Sequence, residues 1–365
     1  MKNKILHISC GGLGYGGVSS VIFSIVKELH SRFDFGCIVF KKKCNREQEF
    51  LKYGKLYRIQ AYNDDGKRHV LELLFRPFRL YINVFRICKK EKYDVVHAHN
   101  YFDEGICLLA AKNAGVPIRI AHSHNTMSPN KKGFFIRLQK KLNNLMIKYS
   151  ATHRIGCSNK AGEDFFGNLK YNVIYNSISL EKYTPRNRKN NEILTFIHVG
   201  RYTYQKNQEF IIKIFYNIKK KIEKSRLMLV GFGEDKEKLI KLVKELNLSE
   251  SVFFIPGDNR DISKIYDEAD YMIFPSIYEG FGIVLLEAQS KRIPCFVSEA
   301  IQKEVDVGLL NYINLSESEE EWAEKILLYI NKKCEINDNT ISENLKKFSI
   351  NTICEQYANI YGGNI

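Results

Sequence analysis

Two carboxylates, Glu279 and Glu287, flank a glycine turn, Glu279-Gly280-Phe281-Gly282, that runs into an apolar stretch from Ile283. Glu279, in the loop, is placed to accept hydrogen bonds from sugar hydroxyls. Glu287, about one turn into the following helix, suits a vicinal diol such as a ribose. The free N–H groups of a helix start between them suit a diphosphate. Two cations, Arg201 and Lys206, follow Gly200. Arginine forks onto phosphate oxygens and lysine supplies a point charge. Two cations five apart are unspecific in a chain this basic, and their place after a strand gives them weight. His122 and His124 close a further apolar run, and imidazoles at a strand's carboxyl end form a candidate site. No third ligand of useful spacing is evident beside them, so a metal centre is not expected. Gly16, Gly17, Gly231 and Arg260 stand in the remaining turns of this kind.

These residues need strands that end in loops. Lys4–Ser9 reads as a strand, 11–17 as a glycine loop, and 18–29 as an apolar-periodic helix. Gly12, Gly14 and Gly17 satisfy a dinucleotide-binding spacing. That reading also needs an acid at the end of the second strand. The second strand, 35–40, ends in Lys41-Lys42-Lys43 instead, and Asp34 lies at its wrong end. Further strands are expected at 94–97, 116–121, 152–157 and 172–178, with a helix at 71–92. A polar, Lys-rich stretch from 183 to 192 reads as a linker. A second strand–helix series begins at Ile193, with strands ending at Gly200, Gly231 and Gly257. Another strand, 271–274, ends at Pro275, and the next is 294–297. Glu343 to Tyr361 reads as one terminal helix.

The 365 residues suffice for two domains, and the composition is that of a soluble globular protein. No apolar run reaches the length of a membrane span, and the N-terminus lacks the apolar region of a signal peptide. Nine scattered cysteines without a CxxC pair read as reduced cytosolic thiols. The net charge of +15 is one-sided: residues 1–176 carry +17 and residues 177–365 carry −2. An anionic partner is therefore expected for the first half, either nucleic acid or an anionic membrane surface. No recognised nucleic-acid module is present. Residues 131–149 read as a basic amphipathic helix with Phe134, Phe135, Leu138, Leu142, Leu145 and Met146 on one stripe. Such a stripe either packs on its own domain or lies in a membrane interface.

The run PSxxEGFGxxxLEA, with Glu279 and Glu287 eight positions apart, resembles the family-4 retaining glycosyltransferases. RIAHSHN, residues 119–125, is similar to the exopolysaccharide and capsule-assembly branch of that family. The resemblance implies the GT-B fold: an α/β chain of two Rossmann-like domains facing across a cleft, with a C-terminal helix returning to the first. The implied domains are 1–182, a linker at 183–192, 193–340, and a returning helix at 341–365. It also implies the roles of single residues. Arg201 and Lys206 match a diphosphate clamp and His122 a histidine that reaches the donor sugar; with Glu279 these are the expected catalytic residues. Gly16, Gly17, Gly231, Arg260, Gly280, Phe281, Gly282, Ile283 and Glu287 complete the expected donor site. Two departures stand out: Ser19 where the family often has an acid, and Arg292 where it usually has glycine.

The expected reaction moves a sugar from a nucleotide-sugar, a UDP-sugar, to a lipid-diphosphate-linked saccharide, with no metal and no cofactor. The expected setting is cytoplasmic and peripheral, at the inner face of the cell membrane. An epimerase or phosphorylase of similar shape, a nucleic-acid binder, and a non-catalytic partner subunit are the rival readings.

Overall fold

The computed structural model describes residues 2–9, 12–59, 70–99, 103–126, 133–186, 192–257, 261–332 and 337–363, with the backbone alone at 70–74. Gly11, Lys131, Lys132 and Arg260 lie outside the described residues. Two compact units result. One is Met1–Ser177 with Ile350–Ile365, and the other is Ile178–Ser349.

The first unit alternates strands and helices. Its elements are β1 (Lys4–Ser9), α1 (Gly17–Leu29), β2 (Asp34–Val39), α2 (Glu47–Phe50), β3 (Gly54–Arg58), α3 (Val70–Glu91) and β4 (Val95–Ala98). They continue with α4 (Glu104–Asn113), β5 (Ile118–Ser123), α5 (Phe134–Ser150), β6 (His153–Gly156), α6 (Asn159–Phe166) and the short β7 (Asn172–Val173). The strands form one sheet in the order β3-β2-β1-β4-β5-β6-β7, and every pairing is parallel. Both faces of such a sheet are covered, so its strands are apolar throughout rather than alternating. In β1, Ile5, Leu6 and Ile8 are fully buried, and the polar His7 and Ser9 are buried with them.

The second unit repeats the plan. It contains β8 (Leu194–Val199), α7 (Gln208–Lys219), β9 (Ser225–Gly231), α8 (Lys236–Glu245), β10 (Val252–Pro256) and α9 (Ile262–Tyr266). After these come β11 (Tyr271–Phe274), α10 (Ile283–Ser290), β12 (Cys295–Ser298), β13 (Leu310–Ile313), α11 (Glu319–Lys332) and α12 (Asp338–Lys346). The sheet order is β10-β9-β8-β11-β12-β13, again parallel. Its core gathers Phe196, Phe215, Leu227, Ile273, Phe296 and Trp322. Both sheets reverse direction beside their first strand, between β1 and β4 and between β8 and β11. Ligands of open α/β sheets bind at the carboxyl ends of strands at such a reversal.

The single terminal helix expected from the sequence is two helices, α12 and α13 (Ile350–Tyr361). The break follows from Phe348, which is fully buried against Phe281 at 5.8 Å. Ile178 N–H donates to the Phe348 carbonyl at 2.9 Å, which ties 178 and 348 to the same unit. Only α13 therefore joins the first unit, where it packs on α1. Tyr183, at the start of the stretch expected as a linker, is tied to the second unit: Ser290 Oγ donates to its carbonyl at 2.6 Å.

Candidate active site

In the second unit the loops after β8 and β11 are stitched together. Ile277 N–H donates to the Gln205 carbonyl at 2.9 Å. Gln205 Nε2 returns a bond to the Tyr278 carbonyl at 2.9 Å. Asn207, in the left-handed region at φ 58°, donates from Nδ2 to the Pro275 carbonyl at 3.3 Å. These bonds set Lys206 beside Glu279, and the two form an ion pair with side chains only 15% and 7% exposed. The Lys206 ammonium also lies over the Phe274 ring, 4.8 Å from its centre. Arg201, one residue after Gly200, is exposed, and its guanidinium has no partner among the described residues. Sequence reasoning gave both cations one role; the structure separates them into a paired, buried cation and a free, exposed one.

The turn at 280–282 leads into α10. Gly282, at φ 90°, occupies the N-cap position, and no side chain caps the helix. Leu285 N–H donates to the Gly282 carbonyl at 2.9 Å, and the Ile283 N–H at the helix start is left for an anion. The Phe281 side chain is buried against the ring of Phe348, so what this position offers a ligand is its backbone. Gly231 has a packing reason to be glycine, because a Cβ there would lie 2.0 Å from the Gly200 carbonyl oxygen.

Glu287 is half-buried, and tyrosines hold both its oxygens. Tyr183 donates to Oε1 at 2.8 Å and Tyr266 to Oε2 at 3.1 Å. Burial raises the Glu287 pKa, and the two tyrosine hydrogen bonds oppose the rise. Neither tyrosine was singled out from the sequence. Tyr183 lies in a polar stretch that carries no motif, and Tyr266 lies in a five-residue helix. Arg292 adopts φ 61°, the conformation a glycine would fill. Its guanidinium donates to Asp338 Oδ1 at 2.5 Å and to Ser342 Oγ at 2.6 Å, both on α12. Side-chain bonds thus hold a conformation that costs an ordinary residue about 1–2 kcal/mol.

In the first unit the sheet collects five imidazoles. Register sets His7 of β1 beside His97 of β4. His99 and His124 follow β4 and β5, and His122 lies in β5. All are buried, and burial lowers the pKa of each; His7 and His124 fall to about 3. His7, His97 and His99 bring three ring nitrogens within 4.8 Å of one another, and so do His99, His122 and His124. The ground given above for setting a metal aside, the lack of a third ligand, therefore does not hold. Spacing along the chain hid what strand pairing brings together.

The glycine loop after β1 is held by Ser19. Its hydroxyl accepts from Gly14 N–H at 3.0 Å and donates to the Gly12 carbonyl at 3.1 Å. A Cβ at Gly16 or Gly17 would meet nothing within 4 Å, so packing inside the unit does not demand glycine at either position.

The sequence matches two family models end to end: Glycosyltransferase Family 4 over residues 15–182 and Glycosyl transferases group 1 over residues 180–348. The chain belongs to these glycosyltransferases. A Bacillus subtilis (strain 168) protein carrying the name glycosyltransferase EpsF is 28% identical to it over 89% of this chain and 87% of that one. The capsular polysaccharide biosynthesis glycosyltransferase CapH of Staphylococcus aureus is 26% identical over 98% of each. An Escherichia coli UDP-Gal:alpha-D-GlcNAc-diphosphoundecaprenol alpha-1,3-galactosyltransferase is 30% identical over 62% of each. Among solved structures, Anabaena HepE in complex with UDP and glucose superposes with a TM-score of 0.79, covering 98% of each chain at 19% identity. The fold of this glycosyltransferase is accordingly GT-B, with two Rossmann-like domains. No helix among its described residues is long and apolar enough to cross a membrane.

Proposed function

We propose that this glycosyltransferase moves a sugar, with retention of configuration, from a UDP-sugar to a saccharide carried on a lipid diphosphate, in exopolysaccharide or capsule assembly. One observation carries the reading: a free cation, Arg201, an ion pair, Lys206–Glu279, and an uncapped helix start at Gly282 converge on the β8/β11 reversal. A cation and helix N–H groups stabilise a leaving diphosphate as its charge develops. Glu279 receives sugar hydroxyls, Glu287 the ribose diol, and His122 the donor sugar. The bond from the sugar carbon to the diphosphate oxygen breaks, the bond to the acceptor oxygen forms, and the acceptor proton passes to the leaving diphosphate. The groups above supply the charge the diphosphate needs without a metal ion. The name of the E. coli relative supports the donor and acceptor classes, and that of the S. aureus relative supports capsule assembly.

The protein is expected to work against the inner face of the cell membrane. Helix α5 supports this. Its buried residues are Asn143, Ile147 and Ser150, whereas Phe134, Phe135, Leu138, Leu142 and Leu145 are exposed.

The test is a transfer assay with UDP-sugars and a diphosphoundecaprenyl-linked saccharide, read by UDP release and by the anomeric NMR signals of the product. UDP release only with acceptor, an α-linked product from an α-donor, and an unchanged rate in EDTA are expected. Sugar conversion without acceptor would establish the epimerase reading instead. Loss of activity in EDTA, restored by magnesium or manganese, would remove the metal-free step.

A further inference from the structure

The five imidazoles form two separate hydrogen-bonded lines. In one, His7 Nδ1 meets His99 Nε2 at 2.9 Å, and His99 Nδ1 meets His124 Nε2 at 2.7 Å. In the other, the Tyr361 hydroxyl meets His97 Nδ1 at 2.8 Å, and His97 Nε2 meets His122 Nδ1 at 3.0 Å. Burial keeps all five rings neutral at ordinary pH. A neutral imidazole has one N–H and one lone pair. Each ring in a line must then donate from one nitrogen and accept at the other, so the group at one end sets every tautomer.

The first line has a histidine at both ends, and among the described residues neither end nitrogen, His7 Nε2 or His124 Nδ1, has a partner to order it. The second is anchored by Tyr361, on the last turn of α13. Burial raises the Tyr361 pKa well above its ordinary value, so the hydroxyl keeps its hydrogen. That hydroxyl is fully buried, and among the described residues its one partner is His97 Nδ1. A buried O–H without an acceptor costs about 1–3 kcal/mol, so Tyr361 donates. His97 must then carry its hydrogen on Nε2 and donate to His122 Nδ1. His122 is left with its hydrogen on Nε2, a buried atom with no partner among the described residues.

We propose that Tyr361, acting through His97, is a positioning residue that fixes His122 as an Nε2–H donor toward an oxygen of the donor sugar. This rests on the reading of His122 given above. An Nε2–H has no lone pair at that atom, so His122 binds the substrate and does not act as a base there. The last helix of the chain, α13, thereby sets a hydrogen-bond donor on β5.

The experiment uses the full chain, labelled with 15N-histidine. In the wild type, His122 should show a protonated Nε2 and a bare Nδ1 by 15N shift and coupling. Tyr361→Phe keeps the ring and loses the hydroxyl, so this preference should disappear and kcat should fall by up to about tenfold, the scale of one hydrogen bond, with the acceptor KM unchanged. His97→Gln, whose amide can accept from Tyr361 and donate to His122, should retain more activity than His97→Leu. Circular dichroism and urea midpoints of each variant separate these effects from misfolding. A bare Nε2 on His122 in the wild type overturns the inference, as does a Tyr361→Phe variant with unchanged tautomer and rate. A stoichiometric transition metal retained by the purified protein, and lost in His99→Ala, also overturns it, because the rings would then be ligands. His122→Ala tests the underlying reading separately: unchanged turnover there removes the sugar contact, while the 15N shifts still decide the tautomer.

Discussion

Lys206 and Glu279 illustrate how much a partner changes a residue's meaning. Removing one member of a buried ion pair costs about 3–5 kcal/mol. Lys206→Ala should therefore lower the unfolding free energy by an amount of this order as well as the turnover. Arg201→Ala, at an exposed and unpaired guanidinium, should lower turnover while changing stability by no more than about 0.5 kcal/mol. Urea unfolding beside the transfer assay checks both, and equal stability losses in the two variants would refute the distinction. Glu287 allows a sharper test. Its folded pKa is raised, chiefly by burial, so the folded state holds this proton more tightly than the unfolded chain does. The associated stability is complete below the ordinary carboxylate value and is lost as pH rises through the folded value. Glu287→Gln cannot ionise and should escape that loss. Its stability relative to wild type should thus increase from pH 4 to pH 8, while its nucleotide affinity drops through loss of a charged acceptor. A pH-independent stability difference would contradict this.

At the scale of elements, the strands were legible because parallel sheets read as apolar runs closed by glycine or proline, as at Gly200 and Pro275. The turn at 279–282 was legible because its residues are contiguous. Three features were not, each for a physical reason. The histidines converge through strand register, His7 beside His97, and separation along the chain is silent about register. Tyr183 reaches Glu287 from a polar stretch whose composition reads as linker. The buried face of α5 is not its apolar stripe: Asn143 Oδ1 accepts Gly105 N–H of α4 at 2.9 Å, and the two helices approach closely where Gly105 has no side chain. A Cβ at Gly105 would lie 2.7 Å from the Asn143 carbonyl oxygen and 2.8 Å from Met146 Cβ. Gly105→Ala must push these helices apart and should cost about 1–3 kcal/mol, as overpacking does. A thermal midpoint equal to wild type would show that α4 and α5 yield more easily than this contact implies.

For the molecule as a whole, the outward stripe of α5 and the charge distribution point the same way. The +17 of residues 1–176 belongs to the unit that carries α5, and residues 177–365 carry −2. Phe134 and Phe135 are 73% and 82% exposed, and Phe75 and Phe78 of α3 are 58% and 64% exposed. Helices α3 and α5 both pack on α4, and each leads into a strand of a parallel sheet. Their N-terminal aromatics therefore lie toward the carboxyl edge of that sheet, the edge that bears His122. A group of exposed aromatics marks a surface that something else covers in use. A bilayer interface does so, at about 1 kcal/mol for each neighbouring lysine or arginine on anionic lipid. The charges to change are Arg137, Lys141 and Lys148, which are exposed. Lys140 is a poorer choice because it bonds to the Asp164 carbonyl. Wild type should sediment with anionic vesicles at low salt and be released at high salt. Changing the three cations to glutamine should weaken binding and its salt dependence together. Phe134→Ser with Phe135→Ser should weaken binding while leaving the salt dependence in place, since those side chains act through apolar burial. Both variants should keep wild-type UDP affinity, because the groups assigned to the nucleotide lie in the other unit. A wild type that ignores anionic vesicles at low salt would refute membrane docking through α5, and a water-soluble acceptor would then fit the protein better.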